Sequence, residues 1–268
     1  MIATSCKKKG EDVNNGGNNG NGGNIVIEEE DFEQYLTGTD YIIFDLGATT
    51  LARIESKVAL DLRAKGPWDD ANASRVVWDW HTPSFSEATG TDAFGVAGEW
   101  SSIGNASEWS GIGLWIGSTD ARAALQDECE ATINTYATLV EGHESEFTLV
   151  VIMKCDSEEA DPWFSVSGFG KNSAEPNMGQ SFKISSAEHE EDEIYTDDGG
   201  RKQIHYTHTL RDGEWHAYTI NVSALHGFNP DLFYNTEKNA YDSNIFCRGA
   251  NAGYTCDICA AFMYKAAN

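Results

Sequence analysis

The chain has 268 residues, of which 18 are basic and 43 acidic, for a formal net charge of −25. A surface this negative repels phosphate backbones and anionic lipid, which excludes nucleic acid as a partner. A hydrophobic share of 40%, with eight Trp, ten Tyr and twelve Phe, supplies a core and excludes disorder for the body of the chain.

The first thirty residues are of another kind. Ala3 to Cys6 read ATSC and resemble the end of a bacterial lipobox, after which a cysteine carries lipid. A leucine is usual where Ala3 stands, and the apolar segment that precedes a lipobox is missing, as in a trimmed precursor. KKKGED, Lys7 to Asp12, is similar to the charged segment that sends some Gram-negative lipoproteins to the cell exterior. NNGGNNGNGGN, Asn14 to Asn24, is a flexible linker by composition. A Gly-rich coil from Lys7 to Glu30 spans roughly 25 to 29 Å root-mean-square. Cys6 is therefore expected to be lipidated, residues 1–30 to form a tether, and residues 31–268 to form one domain held at the outer membrane, facing outward. No stretch reaches the roughly 18 apolar residues of a spanning helix.

From Ile25 onward the apolar residues fall in short runs with period two. Ile25 to Ile27 is a short candidate strand. Longer ones are Tyr41 to Gly47, Ser56 to Lys65, Arg75 to Trp80 and Ser110 to Gly117. They are followed by Glu146 to Cys155, Pro162 to Gly170, Lys202 to Leu210, Glu214 to Leu225 and Cys256 to Lys265. Ser118 to Ile133 is the one plausible helix, capped by Ser118 or Thr119. Alternation of this kind predicts sheets with one wet and one dry face, and so many strands with few helices predict two packed sheets. The expected fold is all-β: a two-sheet β-sandwich of jelly-roll type with one short helix.

LRDGEWHAYTINVSAL, Leu210 to Leu225, carries the clearest pattern. Asp212 and Gly213 make a turn, after which His216, Tyr218, Ile220 and Val222 alternate with Trp215, Ala217 and Thr219 and are expected to face the core. This segment, with EWSGIGLWI (Glu108 to Ile116), EFTLVVIMK (Glu146 to Lys154) and NAGYTCDICAAFMYK (Asn251 to Lys265), resembles the jelly-roll modules of surface glycan-binding lipoproteins from starch-utilisation-type loci, the SusE/SusF-like proteins. The similarity runs from about Arg75 to the C-terminus and lies in structural signposts. It implies polysaccharide or oligosaccharide capture at the outer membrane, with a glycan transporter and co-expressed lipoproteins as partners. It also implies that a structural calcium ion is common in such modules.

Sugar rings present flat C–H faces, and tryptophan offers a large flat apolar surface edged by a donor. Eight Trp are more than one core needs. Trp78, Trp115 and Trp215 sit inside strand patterns and read as structural. Trp68, Trp80, Trp100 and Trp163 stand beside turn residues, where loops carry function, and are the candidate stacking residues. Asp79 and His81 flank Trp80 as candidate hydroxyl-bonding groups.

CDIC, Cys256 to Cys259, with Cys247 upstream, invites a zinc reading, but residues three apart on a strand point to opposite faces, so buried hydrophobe is the better role. Cys129 and Cys155 are a possible pair that sequence does not decide. For catalysis, the laminarinase-type pattern begun at Glu190 ends on Tyr195 rather than an acid. QIH, Gln203 to His205, resembles a fragment of the alginate-lyase strand without its companion motifs. The reading is a non-catalytic polysaccharide-binding lipoprotein, with a lyase or glycoside hydrolase, or a surface adhesion protein, as the alternatives.

Overall fold

The computed structural model describes residues 30–62, 84–105, 111–115, 131, 134–155, 157, 160, 162–166, 180–188, 193–196, 202–206, 211–225, 234–235, 240–241, 243–249 and 252–267. They form strands numbered in chain order: β1 Thr39–Leu46, β2 Val58–Asp61, β3 Ser84–Thr91, β4 Ala97–Asn105, β5 Gly111–Trp115, β6 Phe147–Lys154, β7 Pro162–Val166 and β8 Gln180–Glu188. The series continues with β9 Glu193–Thr196, β10 Lys202–Tyr206, β11 His216–Asn221, β12 Tyr234–Asn235, β13 Ala240–Tyr241, β14 Ser243–Gly249 and β15 Tyr254–Lys265. A short helix, α1, spans Ala48–Ile54, and a 3₁₀ turn spans Phe32–Leu36. Residues 134–140 are also helical.

Two sheets hold every strand but the β12–β13 hairpin. The first has the order β11-β6-β15-β1-β2, with β4 beside β15 and β3 beside β4; the second runs β5-β14-β7-β8-β10-β9. The fold is the all-β jelly-roll sandwich expected from the alternation. Its centre is β15, twelve residues long. One edge of β15 pairs with β6 from Asp257 to Lys265. The other edge is shared, by β4 from Tyr254 to Ile258 and by β1 from Ala260 to Lys265. A register shift between Ile258 and Ala260 inserts a bulge at the handover.

The bulge decides which residues face which core. Tyr254, Cys256, Ile258, Ala261 and Met263 enter a cluster between the sheets, together with Phe44 of β1, Leu149 and Met153 of β6, and Phe164 of β7. Tyr218, Ile220 and Val222 join it as expected from their alternation. Cys259, Ala260, Phe262 and Tyr264 enter a second cluster on the far side of the first sheet, with Tyr41, Ile43, Val150, Ile152 and Ala217. Cys256 and Cys259 thus lie on opposite faces, as the strand argument required. Cys155, Cys256 and Cys259 are buried thiols, and Cys129 lies outside the described residues. Burial pushes the Cys259 thiol up to about 12.

The expectation of one wet and one dry face fails for the middle of the first sheet. From Leu149 to Met153, residues of both parities are buried, and the same holds from Tyr41 to Leu46. The outer face is covered by the Phe32–Leu36 turn, by α1, and by the loop joining β3 to β4. The physical sign was present in unbroken runs such as LVVIM, which mark strands buried on both sides. The covering elements are short, and α1 buries only Thr50 and Ile54, too few anchors for a helical period to show. β3 and β4, SFSEATGT and AGEWSSIGN, are rich in small polar residues and show no apolar alternation.

Residue 131 and residues 134–140 are helical, the latter past the stop expected at Ile133, and Tyr136 and Val140 pack into the inter-sheet cluster. The rest of the helix expected from Ser118 lies outside the described residues. The strands expected at Ile25 to Ile27 and Arg75 to Trp80, Cys6 and all of the expected tether but Glu30 lie outside the described residues.

Buried acids fasten the outer layer. Asp92, 5% exposed, accepts from the Phe94 and Val96 amides at 2.9 and 3.2 Å, and from the Thr50 hydroxyl of α1 at 3.2 Å. Ser101 Oγ donates to the buried Asp45. Arg53 of α1 pairs with Glu33 of the 3₁₀ turn. Replacing Asp92 with Ala leaves two amides without their acceptor. The Asp92→Ala variant is expected to lose about 2–4 kcal/mol of stability, read from the urea midpoint.

Candidate functional site

The covering layer does not reach the whole outer face. Where β4, β15 and β6 meet near the start of β15, a cleft of 340 Å³ opens, lined by Ser102, Lys154, Cys155, Gly213, Thr255 and Asp257. Three of these residues form a row across neighbouring strands: Asp257 stands opposite Ser102 of β4 on one side and Lys154 of β6 on the other. Residues directly opposite in a ladder project from the same face, so a hydroxyl, a carboxylate and an ammonium share one rigid platform. The Lys154 ammonium lies 3.8 Å from Asp257 Oδ2. It also sits over two indoles, 4.5 Å from the Trp215 ring centre and 5.0 Å from that of Trp100. The two indoles meet edge to face at 5.4 Å. The rings therefore hold the long lysine chain in place through cation–π attraction.

The rim is the turn from Arg211 to Trp215. Gly213, at a φ of 78°, adopts the left-handed conformation the turn needs, and its amide donates to Cys155 O at 2.9 Å. Asp212 accepts from the Glu214 amide at 2.9 Å and from His216 Nε2 at 2.9 Å. On its other side His216 Nδ1 lies 3.6 Å from Glu30, whose second oxygen accepts from the Ala217 amide at 3.0 Å. Glu30 therefore belongs to the folded body and ties its first described residue to the edge strand β11. Burial works against a charged His216, but the Glu30 and Asp212 carboxylates outweigh it and hold the imidazole pKa above its ordinary value.

The residues singled out from sequence fall as follows. Trp68, Asp79, Trp80 and His81 lie outside the described residues. Trp163 is in β7, its backbone paired with Arg248 and Lys183. Trp100 is corrected: it is 8% exposed, its ring covered by Trp215, Lys154 and the space opened at Gly90 of β3. A sealed indole offers no face for a sugar to stack on, and its neighbours in AGEWSS belong to a strand, not a loop. Trp215, which the alternation marked as structural, is partly exposed beside the cleft. Sequence reasoning passed over Lys154, Ser102, Thr255 and Asp257 because each is an ordinary polar residue at a strand position. Their meeting depends on which strands pair. Among the described residues no group of three or more His, Cys, Asp or Glu is placed to hold a metal ion. Nor is any helix there long and apolar enough to cross a membrane.

No protein-family model matches the chain, and no curated protein matches it. Solved structures give distant likenesses. A family 11 carbohydrate-binding module from Clostridium thermocellum, in complex with a β-1,3-1,4-mixed-linked tetrasaccharide, is 12% identical with a TM-score of 0.32, over 70% of this chain and 86% of that one. The surface glycan-binding protein PbSGBP-B from Prevotella bryantii is 13% identical with a TM-score of 0.33, over 77% of this chain and 56% of that one. An exo-β-agarase is 8% identical with a TM-score of 0.30, over 69% of this chain and 22% of that one. The chain thus spans about a fifth of the agarase and about half of the surface protein. At these scores the likenesses place no residue and assign no activity.

Two outcomes follow from the geometry. A His216 pKa raised in the folded state means that its ion pairs contribute fully below the unfolded value of about 6.5, and that the contribution fades as pH rises through the folded value. The melting temperature should therefore fall from mildly acidic to alkaline pH by more in the wild type than in His216→Gln. Removing the buried Trp100 indole empties the space between β3 and Trp215. Trp100→Ala is expected to cost about 3–5 kcal/mol in chemical denaturation rather than to act as a selective binding variant.

Proposed function

We propose that the chain is a polysaccharide-binding lipoprotein of the cell surface that holds glycan without cleaving it. The observation that carries the reading is the open polar cleft on the first sheet. It offers two hydroxyls, one cation and one carboxylate on a rigid platform, beside the partly exposed Trp215. Such a set suits a polyhydroxylated ligand: hydroxyl donors and acceptors for its rim and an indole for its C–H face. Among the described residues one carboxylate, Asp257, lines the cleft, whereas two-carboxylate glycoside cleavage calls for a pair across the bond.

Trp68, Asp79, Trp80, His81 and Trp163 remain in this proposal as further aromatic and polar contacts. Cys6 is the lipidated residue, the segment before Glu30 is the tether to the outer membrane, and a glycan transporter with co-expressed lipoproteins are the partners. A structural calcium ion belongs to the same reading.

The test is native electrophoresis of the purified body in gels cast with a panel of polysaccharides, followed by analysis of the polymers for new reducing ends or unsaturated products. Retardation by at least one polymer without products is expected, and Trp215→Ala should weaken it about tenfold while the protein still melts cooperatively. Products in the incubation would favour a lyase or hydrolase instead. Indifference to every polymer would favour an adhesion protein.

A further inference from the structure

Resting on the glycan-binding reading, we propose that the cleft recognises a neutral sugar through two adjacent hydroxyls, Lys154 donating to one and Asp257 accepting from the other. The side chains are 27% and 20% exposed, open enough to reach a guest and buried enough for each contact to count. Their ion pair, at 3.8 Å, is longer than a hydrogen bond, so N–H donors on Lys154 and lone pairs on Asp257 stay available to a ligand. The indole faces that fix the ammonium attract its charge and supply no acceptor oxygen.

Neighbouring hydroxyls of a pyranose stand about a hydrogen-bond length apart, and each can both donate and accept. One of them meets the ammonium and the next meets the carboxylate, so a vicinal diol bridges the pair and leaves both charges solvated by the guest. Ser102, opposite Asp257 in register, and Thr255 along β15 supply hydroxyls for a further contact.

Charge excludes the other sugar classes. A uronate carboxylate drawn to Lys154 would stand beside Asp257, and an amino sugar drawn to Asp257 would stand beside Lys154. A polyanion would in addition approach a chain of net charge −25. Only an uncharged diol uses both groups without opposing either.

The experiment measures retardation and calorimetric affinity of the purified body on three probes: neutral pyranose polymers, polygalacturonate, and the retarding neutral polymer after periodate has cleaved its vicinal diols. Lys154→Met keeps the apolar chain against the indoles and removes the donors; Asp257→Asn keeps the shape and removes the charge. The expected result is binding to a neutral polymer, its loss after periodate, and an affinity about tenfold or more weaker in each variant at an unchanged melting temperature. If Lys154→Met fails to fold, Asp257→Asn and the periodate arm on the wild type decide the matter. Wild-type affinity in both folded variants overturns the inference and leaves glycan binding standing. Stronger binding to polygalacturonate, rising further in Asp257→Asn, overturns it in favour of an acidic sugar. Binding to no polymer sinks the glycan reading itself, and this inference with it.

Discussion

The first sheet depends on satisfying the backbone of β15 in a place without water. A strand buried on both faces from Ile258 to Tyr264 has to find partners for its amides and carbonyls along both edges there, because an unpaired buried group costs as much as a lost hydrogen bond. β6 supplies one edge along most of its length, while the other is divided between β4 and β1. The handover falls at the bulge between Ile258 and Ala260, which also exchanges the parity of the strand. One backbone irregularity thus lets β15 serve two differently built halves of the sheet.

Each half has its own outer surface. Beside β1 the outer face is apolar, and the Phe32–Leu36 turn and α1 close over Tyr41, Phe262 and Tyr264, whose rings stack and tilt against one another at 5.5 to 5.8 Å. Beside β4 the same face carries Ser102, Thr255, Asp257 and Lys154 and stays open as the cleft. The edge-to-face pair of Trp100 and Trp215 marks the border between dry and wet surface. Large amphipathic rings suit such a border, since their bodies extend the core and their faces hold the lysine.

Anchoring of the covering layer and positioning of the cleft rim follow one rule: acids close local loops. Asp92 gathers two amides of its own turn and a hydroxyl of α1. Asp212 does the same for the Arg211–Trp215 turn and hands His216 on to Glu30. Much of the negative charge stays at the surface, but these few carboxylates act inside or at its edge, where hydrogen bonds to charge are strongest.

Local pattern was legible in the amino-acid sequence. The runs Tyr41 to Gly47, Glu146 to Cys155, Glu214 to Leu225 and Cys256 to Lys265 announced strands because alternation and apolar density are properties of neighbouring residues, and the opposite facing of Cys256 and Cys259 followed from strand geometry alone. Strands β3 and β4 were hidden because their small polar residues take their place from pairing rather than from hydrophobic period. The placement of Trp100 was misread for the same reason, since the turn-like glycines around it belong to a strand that packs against Trp215. Sequence determined that this is an all-β chain with aromatic residues in excess of a simple core. Only the tertiary structure decided that the outer face would be half covered, and that Ser102, Asp257 and Lys154 would stand in one row. Strand pairing joins residues far apart in the chain, and no local period records which partners a ladder will choose.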